Sequence, residues 1–272
     1  MNANAVEVER QLGRAVMSSS HGFWSLGGFV GGVAGSFAIV HFGPEAQALA
    51  VSVIAAGLIA VSAPHILHDA PHPTTSAEAK PHLLIPRELG LWILGFLALF
   101  SMVPEGAILD WAAIYLSSEL GADLFRSGLA FAGFAGTMSV MRFAGDSIRN
   151  RFGAVKTLRV SGVISAVAML GAALAPNDVI AIICFAACGI GIANMIPILF
   201  SAAGNYPGVA SGTAMSTVTM VGYAGILVAP SSIGFVADHV GFRVTYAALA
   251  VLLVVVAAMA GRAASADGVR GH

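Results

Sequence analysis

The chain has 272 residues, 57% hydrophobic and 10% charged, with a formal net charge of -1 and a mean hydropathy of +0.86. A soluble domain carries about 25% charged residues, so this is the composition of an integral membrane protein. There is no basic tract for nucleic acid, and Cys184 and Cys188 stand one turn apart in an apolar run, where free thiols pack as small hydrophobes.

The start, MNANAVEVERQLGR, has acidic residues and no apolar core, which excludes a cleaved signal and a transmembrane beginning. Residues 2–13 read as the amphipathic cytoplasmic tail of a helix that is absent. Runs of roughly 17 to 25 mostly apolar residues predict eight transmembrane helices. They lie at 21–40, 46–63, 89–109, 127–143, 158–175, 179–200, 211–236 and 244–260. Breakers mark their joints: FGPE, APND, NYPG and DHVG.

An even number of spans puts both termini on one side, and the positive-inside bias names that side. Eleven of the thirteen Lys and Arg residues fall with the termini, leaving Arg126 and Arg243 opposite. Both termini are therefore expected in the cytoplasm, with the protein multi-pass in the cell inner membrane.

The first span, SHGFWSLGGFVGGVAG, is dense in glycine and suits close backbone packing. At its start, His21, Trp24 and Ser25 read first as a helix cap and an interfacial anchor, and second as the lining of a path. The Pro-rich stretch after the second span is a cytoplasmic linker. Its His65, His68, Asp69 and His72 invite a metal reading, but Pro64, Pro71 and Pro73 would break any helix presenting them together. No metal and no cofactor is expected.

The segment 102–116, MVPEGAILDWAAIYL, carries Glu105 between Pro104 and Gly106, with Asp110 and Trp111 following. Carboxylates at membrane depth are costly and face a protein interior or a water cavity, where they serve solute, ion or proton handling. Pro104 and Gly106 are expected to loosen the helix at Glu105, beside a cavity. Five residues turn a helix by roughly 500°, so Glu105 and Asp110 are expected to face directions about 140° apart.

After the fourth span comes RFAGDSIRNRFGAVKTLR. Here Arg142, Asp146, Arg149 and Arg151 are expected to form a cytoplasmic gate, with Asp146 meeting the N-terminal end of the seventh span near 211–214. In the sixth and seventh spans, Asn194 before Pro197 and Tyr223 before Pro230 are candidates for lining a cavity. With Glu105, Asp110 and Trp111 they make up the expected solute and proton pathway. The Ser and Thr side chains of the seventh span read as interhelical hydrogen-bonding groups.

Offsetting the chain against itself by 198 positions pairs the first span with the seventh. Met17/Met215, Ser18/Ser216, Gly27/Gly225, Val30/Val228, Phe37/Phe235, His41/His239 and Gly43/Gly241 are identical. The first two spans then correspond to the last two. A six-plus-six helix plan, a linker between halves, a basic loop after the second helix of a half and glycine-rich fifth helices together resemble the major facilitator superfamily. The loop departs from the family's G-x-x-x-D-R-x-G-R-R pattern: Gly145 and Asp146 are present, Arg151-Phe152-Gly153 follows after an insertion, and Lys156 takes the later basic position. GFVADHVGFR resembles the family's turn before a last helix. VPEGAILDWAAIYL and SHGFWSLGG are similar to bacterial permeases of the rhizopine-transport-like branch, distantly related to fucose permeases.

The resemblance implies an all-α polytopic fold holding eight of twelve helices, without the first four. Residues 1–63 would be the remnant of the N-terminal half, 64–88 a linker, 89–262 a six-helix bundle and 263–272 a tail. It also implies a secondary transporter that moves a small polar solute, a sugar or polyol, by alternating access with proton coupling. Its partners would be that solute and the lipid bilayer, and function would need the missing helices. The alternatives are a non-transporting remnant and a membrane-embedded enzyme; the latter would call for H-E-x-x-H or a Ser/His pair at membrane depth, and neither is present.

Overall fold

The computed structural model describes residues 2–65 and 88–270, and every regular element among them is helical. The α-helices are α1 (Asn2–Leu12), α2 (Met17–Phe42), α3 (Pro44–Ser62), α4 (Leu89–Glu119), α5 (Leu124–Phe152), α6 (Ala154–Ala173), α7 (Asp178–Ile192), α8 (Met195–Gly204), α9 (Ser211–Val240) and α10 (Phe242–Ala258). Short 3₁₀ segments cover Ala63–His65 and Ala260–Arg270. Of the histidine and aspartate group in the linker, His68, Asp69 and His72 lie outside the described residues.

Three helix pairs are joined by a single glycine each. Gly43 joins α2 to α3 (φ 83°, ψ 163°), Gly153 joins α5 to α6 (φ 89°, ψ 158°) and Gly241 joins α9 to α10 (φ 83°, ψ 158°). That corner of backbone space is open essentially to glycine alone. Gly43 and Gly241 stand 198 positions apart, as do Phe42 and Val240 before them and Pro44 and Phe242 after them. The seven sequence identities therefore accompany a repeat of local backbone geometry.

The chain forms two compact units. One holds the described residues of Met1–Gly22 and Ile85–His272, the other those of Phe23–Leu84. In the first, α4 packs on α9, α5 and α10, while α6 packs on α7 and α10. The start of the chain does not hang free: α1 lies on α8 and α9, with Val6 fully buried against Gly204. In the second unit, α3 has no buried residue.

Among the described residues, five helical stretches are long and apolar enough to cross a bilayer: Pro44–His65, Leu89–Glu119, Ala154–Ala173, Asp178–Gly204 and Ser211–Val240. A sixth results if Phe242–Ala258 and Ala260–Gly268, which meet at 49°, are counted together. The remaining expected spans coincide with α2 and α5, helices of 26 and 29 residues. Arg142 and the many small residues of α5 dilute its apolar character.

One local expectation is corrected. Pro104 and Gly106 do not break the helix, because α4 runs unbroken for 31 residues from Leu89 to Glu119. A short interruption falls instead between α7 and α8, at Ala193 and Asn194, inside the Asp178–Gly204 stretch that matches the single span expected there. Pro197 explains the position, since it has no N–H to donate to the carbonyl four residues earlier, that of Ala193.

Candidate functional site

Glu105 lies 16 residues into α4, about 24 Å along its axis from Leu89, and Arg142 lies ten residues, or about 15 Å, before the end of α5. Across the α4–α5 contact, Arg142 Nη2 donates to Glu105 Oε1 at 3.2 Å. The Arg142 side chain is 7% exposed and that of Glu105 18%. A charge this far from water needs a counter-charge, and each residue supplies it for the other. Arg142 is therefore not a loop charge at the membrane surface, as the span boundary at 143 implied, but one partner of an ion pair inside the bundle.

The same guanidinium reaches the helix interruption, where Arg142 Nε donates to the Ala193 carbonyl at 3.5 Å, the acceptor that Pro197 leaves free. Next to it, Asn194 is fully buried, and neither polar atom of its side chain has a hydrogen-bond partner among the described residues. It presses on Gly145 of α5 so closely that a Cβ there would overlap Asn194 Oδ1. His21 is buried beside Phe200, with ring centroids 6.1 Å apart. Glu105, Arg142 and the Ala193 carbonyl thus form a connected polar centre on α4, α5 and the α7–α8 interruption, with Asn194 the next residue along the chain.

A second polar centre ties the start of the chain to the bundle. Asp146 accepts from the backbone N–H of Ser18 at 2.9 Å and of Ser19 at 2.7 Å, capping the first turn of α2. Its expected neighbour was the start of α9. The physical basis, a carboxylate on helix N–H groups, is the same, but the helix is the repeat counterpart of α9. Arg149, 3% exposed, donates from Nη1 to Glu9 Oε1 at 2.8 Å and from Nη2 to Ser201 Oγ and the Ala266 carbonyl, both at 2.7 Å. Glu9 is fully buried; it also accepts from Ser201 Oγ and from the N–H groups of Val16 and Met17. Asp267, the residue after Ala266, caps the start of α6, accepting from Ala154 N at 2.6 Å.

The other candidates are dispersed. Asp110 is exposed on α4, away from Glu105. Trp111 packs on Phe242 at 5.9 Å and against Gly234, with no hydrogen-bond partner for Nε1 among the described residues. Tyr223 is 43% exposed on α9. Arg151 lies over the Phe152 ring at 5.3 Å. Sequence reasoning missed Glu9, Ser201 and Asp267, and also a buried aromatic cluster in which the Tyr115 and Tyr246 rings stand 5.3 Å apart and each donates its hydroxyl to a helix carbonyl. At the far end of the bundle, Arg126 pairs with Asp178 at 3.1 Å and Arg243 with Glu119 at 3.9 Å.

The profile described as Major Facilitator Superfamily matches residues 3–230 and 91–267. The chain is 36% identical over 262 residues to an uncharacterized MFS-type transporter of Yersinia pestis, covering 96% of this chain and 67% of that protein. It is 31% identical to an uncharacterized transporter of Sinorhizobium fredii, covering 96% and 68%. It is also 29% identical to the membrane protein MosC of Rhizobium meliloti, covering 89% and 58%. Among solved structures, the E. coli fucose:proton symporter FucP superposes with a TM-score of 0.67 at 19% identity, over 89% of this chain and 68% of that one. FucP in the outward conformation gives 0.66 at 19% identity, over 90% and 67%. The chain thus spans about two thirds of the length of most of these proteins, and the structural likeness speaks to fold.

Proposed function

The chain belongs to the Major Facilitator Superfamily, and from that footing we propose that it is a secondary active transporter, or the C-terminal two thirds of one, of the cell inner membrane. It moves a small polar solute of the sugar or polyol class by alternating access, coupled to protons, with both termini cytoplasmic. The observation that carries this reading is the Glu105–Arg142 pair. Protonation of Glu105 removes its charge and breaks the ion pair with Arg142, a side chain that also reaches the carbonyl at the α7–α8 interruption. One proton can thereby alter the hold between α4, α5 and α7–α8, which is the kind of two-state element that coupling needs. The fucose:proton symporter lends the solute class and the coupling ion by likeness alone.

Rocking of one half over the other needs both halves, so we propose that transport requires four further helices. An α3 without a buried residue and the two-thirds coverage of the relatives favour this over a self-sufficient eight-helix machine. A non-transporting remnant is the competing reading. In-frame DNA upstream of Met1 encoding four apolar spans would favour the transporter, and a stop codon there would favour the remnant.

The test is uptake into proteoliposomes, screened over sugars, polyols and amino sugars with and without a pH gradient. Accumulation that depends on the gradient is expected for one class of solute. Failure across all classes by a twelve-helix form would overturn the proposal.

A further inference from the structure

At the end of α10 the chain bends by 49° into the 3₁₀ segment, and a cavity of about 500 Å³ lies at the bend, lined by Arg159, Ala258, Met259, Gly261 and Arg262. Arg159 comes from the second turn of α6. Both arginines are exposed, and neither has an ion-pair partner among the described residues. The nearby tail carboxylate, Asp267, is engaged by the backbone of Ala154. Two guanidinium groups facing one notch with no acid between them form a receptor for a phosphate oxygen cluster.

The surface leading away from the notch is apolar. From Arg159, Val163, Val167 and Leu170 on α6 and Leu174 at its C-cap are exposed and follow a three- and four-residue spacing, with exposed Val160 beside them. On the adjoining α10, Val251 and Val254 are exposed and lead to Ala258 in the notch. We infer that the notch binds the headgroup phosphate of an anionic phospholipid, whose acyl chains lie along the α6 and α10 stripes. A free phosphate would use the arginines but have no use for the stripes; a zwitterionic lipid would use the stripes but gain less from two unpaired cations. This inference is independent of the transport reading, since it needs only a membrane protein with this end at a leaflet surface.

The test is native mass spectrometry of the full chain in dodecyl maltoside, titrated with dioleoylphosphatidylglycerol, dioleoylphosphatidylcholine or inorganic phosphate. The wild type is expected to retain phosphatidylglycerol in preference to phosphatidylcholine. Arg159→Gln and Arg262→Gln should each weaken retention about fivefold, and the pair on the order of 25-fold. Arg151→Gln with Lys156→Gln, on the same end but outside the notch, should leave it within about twofold. Equal retention by the Arg159/Arg262 double variant, equal loss from the control pair, or displacement by millimolar inorganic phosphate would each overturn the inference. Should the double variant aggregate, Arg262→Gln alone, outside the α-helices, carries the test.

Discussion

Arg142 Nη2 lies 3.2 Å from Glu105 Oε1, and the same side chain donates to the carbonyl that Pro197 leaves without a helix partner. One arginine therefore answers two local deficits inside the bundle: an acid away from water and an interrupted helix.

Removing one member of this pair leaves the other charge uncompensated, whereas removing both does not. Glu105→Gln and Arg142→Gln should each lower the melting temperature, and the double variant should lose less than the two losses added. A coupling of roughly 0.5 to 3 kcal/mol is expected from the cycle; additive losses would mean that the pair is not formed. In proteoliposomes of a transport-competent form, Glu105→Gln should abolish pH-driven accumulation and leave solute exchange partly intact. Unchanged pH dependence would remove Glu105 from coupling and direct the same test to Asp110.

Glu105 stands out in the sequence because a carboxylate next to proline in an apolar run is either costly at membrane depth or placed among the headgroups, and its burial against Arg142 goes with the first of these. Its partner does not. Hydropathy ended the fourth span at 143, whereas α5 continues to Phe152, because the last helical turns are polar and pack on protein. Arg142 was therefore placed at the surface when it is about 15 Å inside the helix end. Asp146 illustrates a different limit. The rule that an acid seeks helix N–H groups holds, but α2 and α9 are repeat counterparts, and a linear pattern does not choose between their N-termini. Glu9 gave no signal at all, since its partner Arg149 is 140 residues away and the segment around it is merely polar.

Asp146 caps α2 with both carboxylate oxygens, so Asp146→Asn should lose one acceptor and the charge that complements the helix terminus. A loss of about 1 kcal/mol is expected. In a complete transporter this should favour the cytoplasm-open state, read as faster labelling of a cysteine placed at Ser18. Unaltered labelling would leave Asp146 a stabilising cap with no part in gating.

The glycine joints separate two uses of the residue. Gly241→Ala forces a side chain into a backbone conformation that glycine alone tolerates, and a loss of about 1 to 3 kcal/mol is expected in thermal unfolding. Gly106→Ala should be neutral or stabilising by up to about 1 kcal/mol, since α4 is helical there and a Cβ at that position meets nothing within 4 Å. A severe defect from Gly106→Ala would restore the expectation that the helix must open beside Glu105.

Glu9 is the acid on which the second polar centre depends. It is fully buried and faces the 3%-exposed Arg149, so Glu9→Ala removes the carboxylate that offsets a buried guanidinium, while neutral acceptors such as Ser201 and the Ala266 carbonyl stay in place. Breaking one side of a buried pair costs about 3 to 5 kcal/mol, and two N–H groups at the start of α2 lose their acceptor as well. Glu9→Gln keeps an acceptor oxygen and the side-chain volume but not the charge, and should cost less. Both effects should concentrate at the start of the chain, because α1 is otherwise held on α8 by Val6 and by Arg10 on Asn205 and Gly204. Limited proteolysis should therefore cleave the α1–α2 turn first in Glu9→Ala, later in Glu9→Gln and last in the wild type. Cleavage at equal rates in all three would mean that α1 is anchored by its apolar contacts and that the Glu9–Arg149 pair does not hold it.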